Sequence, residues 1–255
     1  MSVFTAAVAG KGGVGKTTFS ALAIRHLHEA TREVVLAVDA DPNANLHAKL
    51  DVPLGRTIGD LREELLAKAD QLPAGVSKQE HVEYQIRLAL VEGSGFDLLT
   101  MGRQEGAGCY CYINNILRTF IDSLSEKYAY IVMDNEAGME HLSRRTTRSS
   151  DTLFIVSDTS KAALESAIRI ADLAREMGLS TSRIVLVQNL MRPDEDVAQL
   201  KDASGFDAVY GVRRSAFIHE SSRSTESLLG LSATDPASID IARAVDEERR
   251  LATGK

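Results

Sequence analysis

One short segment near the N-terminus, GKGGVGKTT at residues 10–18, constrains the fold of this chain more than any other feature. It follows an apolar run, VFTAAVA at residues 3–9, and leads into a helical pattern from Thr18 to Ala30. The segment satisfies G-x-x-x-x-G-K-[ST], and strand, glycine-rich loop and helix come in the order that a phosphate-binding loop requires. Glycines let successive backbone N–H groups point at one centre, and the helix N-terminus adds partial positive charge. The segment therefore predicts a phosphate site on an α/β fold.

The residues of this loop divide into separate expected roles. Lys16 is expected to bridge the β- and γ-phosphates of ATP as a catalytic residue, and the Thr17 hydroxyl to hold Mg²⁺. The other predicted nucleotide-binding residues of the loop are Gly10, Gly12, Gly13, Val14, Gly15 and Thr18. The loop thus predicts an ATPase whose ligands are ATP or ADP and Mg²⁺.

Seven apolar runs recur along the chain. They are VFTAAVA at the start, EVVLAVD at 33–39, FDLLTMG at 96–102, YAYIVMD at 128–134, TLFIVSD at 152–158, RIVLVQN at 183–189 and FDAVYGV at 206–212. Continuous apolarity is typical of strands that are buried on both faces of a parallel sheet. Helical patterns lie between them, at 18–30, 113–127, 162–177 and 238–251. We predict a doubly wound α/β fold with a mostly parallel, seven-stranded sheet flanked by helices.

The length of 255 residues, of which 44% are hydrophobic and 25% charged, suits one globular domain with a full core. No internal repeat or long linker divides the sequence, so residues 1–255 are expected to form a single ATPase domain. Residues 57–95 are rich in charge and helical in pattern. We interpret them as a helical insertion packed on one edge of the sheet.

The overall charge argues against some classes of partner. A formal net charge of -7 gives no basic field over the whole molecule, which disfavours a protein whose main task is to grip nucleic acid, although a local basic patch stays possible. The N-terminus has no basic region before an apolar one, and no stretch reaches the roughly eighteen apolar residues of a membrane span. We expect a soluble cytoplasmic protein without a nucleic-acid or membrane partner.

The loop contains a second lysine, Lys11, directly after its first glycine. With KGGVGKT, the sequence resembles the MinD, ParA and nitrogenase iron protein class of P-loop ATPases. In that class the early lysine reaches the nucleotide of a partner subunit, so the resemblance implies an ATP-dependent homodimer with Lys11 as a catalytic residue. A cation supplied by the partner would stabilise negative charge on the transferred phosphoryl group.

Polar residues follow three of the predicted strands, where ligands bind in sheets of this kind. By its position, Asp41 matches the switch I residue of the same class, which orients the attacking water. Asp39, two residues earlier, is expected near the metal or the loop. Asp134 begins DNEAG, which resembles the segment that holds Mg²⁺ through water and ends here in Gly138. Asn189 resembles the asparagine of the class that binds adenine.

Two cysteines, Cys109 and Cys111, lie in a glycine-rich loop before a predicted helix. A nearby helix N-terminus lowers a thiol pKa, which favours thiolate and metal binding. One C-x-C pair supplies two ligands, and a symmetric dimer would supply four. Thiolates accept Zn²⁺ in tetrahedral geometry or Ni²⁺ in a planar arrangement.

A narrower resemblance starts from the same segment. GCYCYINNILR, which follows a strand ending in MGR, resembles the CooC family of nickel-insertion ATPases and its relative AcsF, and the likeness extends to DNEAGMEH. That family matures carbon monoxide dehydrogenase and acetyl-CoA synthase. The resemblance implies a homodimeric ATPase that holds Ni²⁺, or Zn²⁺, at Cys109 and Cys111 and delivers it to one of these two client enzymes.

Three other functions are compatible with a P-loop and differ in the further residues that they would need. An iron-sulfur reductase similar to the nitrogenase iron protein would need a second cysteine in switch II, which DNEAGME lacks. A ParA- or MinD-like partitioning or positioning ATPase would need a basic face or an amphipathic anchor, whereas the last helical pattern mixes both charges. A small-molecule kinase would leave Lys11 without an explanation.

Overall fold

The structure, a computed structural model, describes residues 3–67, 77–103, 124, 127–136, 149–192, 195, 205–224, 227–228 and 230–254. Its strands are β1 Phe4–Gly10, β2 Val35–Asp39, β3 Val91–Glu92, β4 Phe96–Thr100, β5 Tyr130–Asp134, β6 Ser149–Ser157, β7 Ser180–Met191 and β8 Ala208–Arg213. Its helices are α1 Lys16–Thr31, α2 Leu46–Lys49, α3 Ile58–Ala67, α4 Lys78–Ala89, α5 Lys161–Glu176, α6 Ala216–Ser224 and α7 Pro236–Thr253. None of these helices is both long and apolar enough to cross a membrane.

All of these strands belong to one sheet, in the order β3-β4-β2-β5-β1-β6-β7-β8. Every neighbouring pair is parallel except β3 and β4. The predicted doubly wound α/β class is confirmed, but the predicted count of seven strands is wrong, because the described sheet has eight. The additional strand is β3, and its two residues are too few to produce a recognisable sequence period.

Helices cover both faces of the sheet, as the alternation of side chains along β1 illustrates. Phe4 and Val8 belong to a core cluster with residues of α1 and α7. Ala7 and Ala9 face the opposite cluster, which contains residues of α3, α4 and α5. Because successive side chains of a strand point to opposite faces, one strand contributes to both cores.

The segment predicted as a helical insertion contains α3, α4 and β3. Its apolar residues Ile58, Leu61, Val82 and Ile86 are buried in the same cluster as Leu99 of β4. These helices therefore pack on the sheet face near its β4 edge. The single-domain assignment for 1–255 stays a prediction, and the helix predicted at 113–127 lies mostly outside the described residues.

Local capping signals explain where the flanking helices begin and end. The Asp235 side chain accepts a hydrogen bond of 2.9 Å from Ala237 N, and Pro236 occupies the first turn of α7. Gly254 ends that helix in the left-handed conformation, with a φ of 69°. Ser77 and Glu80 form a reciprocal capping box at the start of α4. The helix boundaries thus follow from short-range sequence.

A buried ionic network attaches α7 to three strands. Glu248 is fully buried and accepts hydrogen bonds from Arg183 at 2.7 and 3.1 Å, from the Tyr210 hydroxyl at 2.7 Å and from the Thr152 hydroxyl at 3.3 Å. These partners belong to β7, β8 and β6. Since a buried carboxylate needs partners for its charge, the network places the C-terminal helix at one position on the sheet.

Candidate nucleotide site

The predicted site lies where β2, β5 and β1 end side by side. In the register of these strands, Asp134 pairs with Asp39 on one side and with Val8 on the other. The loop that begins at Gly10 leaves the same edge of the sheet. Chain connections diverge to opposite sides of β1, and this arrangement creates a crevice at the carboxyl ends of the strands.

Two glycines show that the loop backbone depends on the absence of a side chain. A Cβ on Gly10, which has a φ of 148°, would lie 2.2 Å from the carbonyl oxygen of Val156. A Cβ on Gly15, with a φ of 97°, would lie 2.4 Å from Nδ2 of Asn189. Helix α1 begins directly afterwards and has no acidic residue in its first turn. Because the first backbone N–H groups of a helix have no partner within it, those of α1 face the loop and can bind a phosphate group.

Lys16 places its amine within this loop. Its side chain is buried, and Nζ donates a hydrogen bond of 3.2 Å to the carbonyl oxygen of Lys11. Burial lowers the pKa of Lys16, while the nearby charges of Asp134, Asp41 and Glu136 oppose that shift. The side chain of Lys11 itself is exposed. The site thus holds one buried cation among carboxylates and one exposed cation at its rim.

Asp134 is a deeply buried carboxylate of the site, with 1% of its surface exposed. Its Oδ1 accepts a hydrogen bond of 2.9 Å from the Ser20 hydroxyl, and the Thr17 hydroxyl lies close enough to influence its pKa. Burial raises the pKa of Asp134 to about 7, and the charge of Asp39 adds to the increase, while the two hydroxyl groups oppose it. Ser20 was not predicted as a site residue, although its spacing of four from Lys16 places both on one side of α1.

Asp39 uses both of its oxygens on the turn that follows β2. Oδ1 accepts a hydrogen bond from Asp41 N at 3.1 Å, and Oδ2 accepts one from Leu46 N at 2.9 Å. The residue is fully buried, and burial raises the pKa of its carboxyl to about 6. Asp39 therefore stabilises the backbone that carries Asp41, in addition to lying beside Asp134.

Asp41 is partly exposed at the mouth of the site. Its Oδ1 accepts hydrogen bonds from the backbone N of Asn43 at 2.8 Å and from Asn43 Nδ2 at 2.9 Å. The carboxylate is also close enough to Lys16 to oppose the lowering of its pKa. The geometry thus brings Asp41 towards the loop lysine, and its role in orienting water stays a prediction.

Asn189, the predicted adenine ligand, contacts the phosphate loop in this structure. Its Nδ2 donates a hydrogen bond of 2.9 Å to the carbonyl oxygen of Val14, and its Oδ1 accepts one of 2.8 Å from Leu190 N. Leu190 has a φ of 61°, which is unusual for a residue with a side chain. The contact ties the end of β7 to the loop, and adenine binding stays a prediction.

Asn135 is a second residue of the site that was not predicted from the sequence. Its side chain is buried, and Nδ2 donates a hydrogen bond of 3.0 Å to the carbonyl oxygen of Val8. The backbone N of Asn135 donates to the same oxygen at 3.1 Å. Its position immediately after Asp134 was the available signal. Asn135 holds the start of the DNEAG segment against β1.

The donor groups fit a magnesium-bound nucleotide. Thr17 and Asp134 supply the oxygen atoms that Mg²⁺ prefers, and this ion usually keeps waters and phosphate oxygens as its remaining ligands. When bound, the ion neutralises charge on the phosphates. Across the described residues, no group of three or more His, Cys, Asp or Glu side chains is arranged to hold a metal by itself. Cys109, Cys111 and Gly138 lie outside the described residues.

Comparisons with known proteins agree with this geometry. The family model described as an AAA domain matches residues 4–184. An uncharacterised ATP-binding protein of Methanocaldococcus jannaschii is 47% identical over 190 residues, which are 74% of this chain and 75% of that protein. The carbon monoxide dehydrogenase accessory protein CooC of Rhodospirillum rubrum is 31% identical over 251 residues, which are 94% of this chain and 93% of that protein.

A solved structure shows the same fold. The septum site-determining protein MinD of Pyrococcus horikoshii, complexed with Mg-ADP, superimposes with a TM-score of 0.69 at 19% identity and covers 99% of this chain and 98% of its own. The matched family region contains the complete phosphate loop and both aspartates that end β2 and β5. The chain therefore belongs to the AAA domain family and is a P-loop ATPase.

Proposed function

We propose that the protein is a metallochaperone that hydrolyses ATP as a homodimer and inserts nickel into carbon monoxide dehydrogenase or acetyl-CoA synthase. The observation that carries this proposal is the Cys109-Tyr110-Cys111 motif in a chain that aligns over nearly its whole length with CooC. Nickel is the cargo of this reaction and is held between ATP-dependent steps by soft thiolates.

The described residues support a division of labour in hydrolysis. Lys16, which is buried in the loop, would contact the β- and γ-phosphates, and Asp41 would orient the attacking water. Lys11 has an exposed side chain, so it is available to a nucleotide on a second subunit. In this arrangement, the complete catalytic set forms only when two protomers meet.

Backbone contacts connect the nucleotide site with the chain that leads to the cysteines. Met101, just after β4, donates a hydrogen bond of 2.8 Å from its N to the carbonyl oxygen of Asp39. Its own carbonyl oxygen accepts one of 2.9 Å from Gly59 N at the start of α3. Cys109 follows Met101 by eight positions in the sequence. A change around Asp39 during hydrolysis would therefore reach the chain segment that continues to the cargo motif.

A titration of the reduced, metal-free protein with Ni²⁺ under anaerobic conditions tests the proposal. Thiolate-to-nickel absorbance and particle mass are followed together, and the Cys109→Ser/Cys111→Ser double variant is the control. We expect one nickel per dimer, with dimerisation that depends on the metal and is lost in the control. Absence of thiolate-dependent binding would contradict nickel delivery and leave the ATPase assignment intact.

A second candidate is a MinD- or ParA-like positioning ATPase, because the KGGVGKT loop with Lys11 resembles that class and the fold is similar to that of MinD. At 19% identity this similarity supports the fold and does not extend to a function. The titration separates the two candidates, because a positioning ATPase would dimerise with ATP and bind no nickel.

Reconstitution with iron and sulfide in place of nickel tests the iron-sulfur reductase, since a bridging cluster would produce visible absorbance.

A further inference from the structure

Ser20 has no role in the sequence motifs, yet its side chain is fully buried at the nucleotide site. A serine inside a helix commonly bonds to the backbone carbonyl one turn earlier. Here the hydroxyl instead donates to Oδ1 of Asp134, which is 114 positions away in the chain, at 2.9 Å. This bond joins α1 directly to the end of β5.

Two hydroxyl groups on one face of α1 lie near Asp134. Thr17 and Ser20 are three positions apart, so they lie on the same side of the helix. The Ser20 hydroxyl donates to the Asp134 carboxylate at 2.9 Å, and the Thr17 hydroxyl lies close enough to influence its pKa. Thr17 stands next to Lys16 at the start of the helix, whereas Ser20 lies one turn deeper, away from the phosphate loop. The two hydroxyl groups therefore differ in their distance along the helix from the nucleotide.

We propose that Ser20 is a positioning residue for ATP hydrolysis, which acts by holding the Asp134 carboxylate in the orientation that Mg²⁺ binding requires. A buried carboxylate can turn about its terminal torsion unless a partner fixes it. Ser20 occupies Oδ1, so the other carboxylate oxygen receives no hydrogen bond from Ser20. Residues that hold a metal-binding group from behind typically change metal affinity or activity about 10- to 100-fold when they are removed.

Measurement of the magnesium dependence of nucleotide binding tests this role directly. The affinity for ADP is measured by calorimetry with excess Mg²⁺ and with EDTA, and the ratio of the two dissociation constants reports the coupling. For Ser20→Ala we expect this ratio to fall about tenfold, while ADP affinity in EDTA stays within about threefold of wild type. The Mg²⁺ concentration that gives half-maximal hydrolysis should rise by a similar factor.

Two further variants separate positioning from simple packing. Ser20→Thr keeps the hydroxyl and should retain most of the coupling between Mg²⁺ and ADP. Ser20→Cys has a similar shape and a weaker donor, so it should lower the coupling and replaces Ser20→Ala if alanine disturbs folding. Ser150→Ala is the matched control, because Ser150 is a buried serine whose hydroxyl bonds to Thr181 at 2.9 Å. An unchanged coupling ratio in Ser20→Ala and Ser20→Cys would overturn the proposal. An equal loss of ADP affinity in EDTA would also overturn it.

Discussion

The side-chain amide of Asn189 donates a hydrogen bond of 2.9 Å to the carbonyl oxygen of Val14, and this contact joins the end of β7 to the phosphate loop. Glycine suits position 15 because its φ of 97° strains other residues, and a Cβ there would also lie 2.4 Å from the same amide nitrogen. The loop is therefore held from β7 as well as by its own turns.

Replacement of Asn189 by alanine should weaken nucleotide binding. The change leaves the partly buried carbonyl of Val14 without this donor, which costs about 1–3 kcal/mol. Where the free loop relaxes and the nucleotide-bound loop cannot, this cost raises the dissociation constant for ADP by up to about 150-fold. Calorimetric titration with Mg-ADP measures the effect. Gln188→Ala, at the preceding position of β7, is the control. Wild-type affinity in Asn189→Ala would show that the contact does not hold the loop in its binding conformation.

Lys11→Ala should abolish hydrolysis without preventing binding. The exposed Lys11 side chain is proposed to act on the nucleotide of a second subunit, whereas its carbonyl oxygen, which alanine retains, accepts the bond from Lys16. We expect ADP affinity within about threefold of wild type and a turnover rate at least about 100-fold lower. Phosphate release and calorimetry measure the two quantities. Full hydrolysis in the variant would exclude a lysine supplied by the partner.

Asp41→Ala should reduce turnover while ATP affinity is largely preserved. A carboxylate that orients and activates water typically contributes about 100- to 10,000-fold to the rate. Single-turnover hydrolysis at saturating ATP isolates this step from binding and product release. Asn43→Ala is the control, because it removes one of the two donors to Asp41 and keeps the carboxylate. If Asp41→Ala retains the wild-type rate, another group orients the water.

The raised pKa of Asp134 predicts that the nucleotide-free protein loses stability as pH increases. Burial raises this pKa to about 7 from an ordinary value of 3.8, so between these values the folded state holds more protons than the unfolded state. The free energy of unfolding should then fall with pH, by at most about 1.4 kcal/mol per pH unit for one proton. Asp39, with a pKa of about 6, adds to the decrease below pH 6.

Urea denaturation in EDTA between pH 5 and pH 7.5 measures this slope. Asp134→Asn imitates the protonated carboxyl group, so its stability should vary less with pH than that of the wild type. The difference between the two slopes isolates Asp134 from other titrating groups. Parallel curves would contradict a raised pKa at this position.

Glu248→Ala should strongly destabilise the fold. It removes a fully buried carboxylate, so Arg183 and Tyr210 lose the oxygens that accept their hydrogen bonds. Breaking a buried ion pair by removing one partner costs about 3–5 kcal/mol. Arg183 is partly exposed and can recover some hydration, so the lower end of that range is expected. Glu247→Ala, at an exposed neighbouring position, should change stability by less than about 0.5 kcal/mol in the same urea denaturation. Equal effects of the two substitutions would contradict the anchoring role.

Local signals were sufficient to predict much of the architecture. Each of the seven predicted runs overlaps a strand of the described sheet, and the order of strand, GKGGVGKTT and helix α1 is present. These features depend on apolar runs, glycine and capping residues, which act over a few positions in the chain. β3 escaped prediction because two residues carry no period, and its pairing with β4 exists only in the assembled sheet.

The phosphate loop, the α/β class and the aspartates that end β2 and β5 were predictable from the sequence, because these depend on short-range spacing. The partners of those groups depend on the tertiary structure. It paired Ser20 with Asp134 and placed Asn189 on the loop. Contacts between residues more than 100 positions apart follow from how helices and strands pack together, and no local spacing encodes that arrangement.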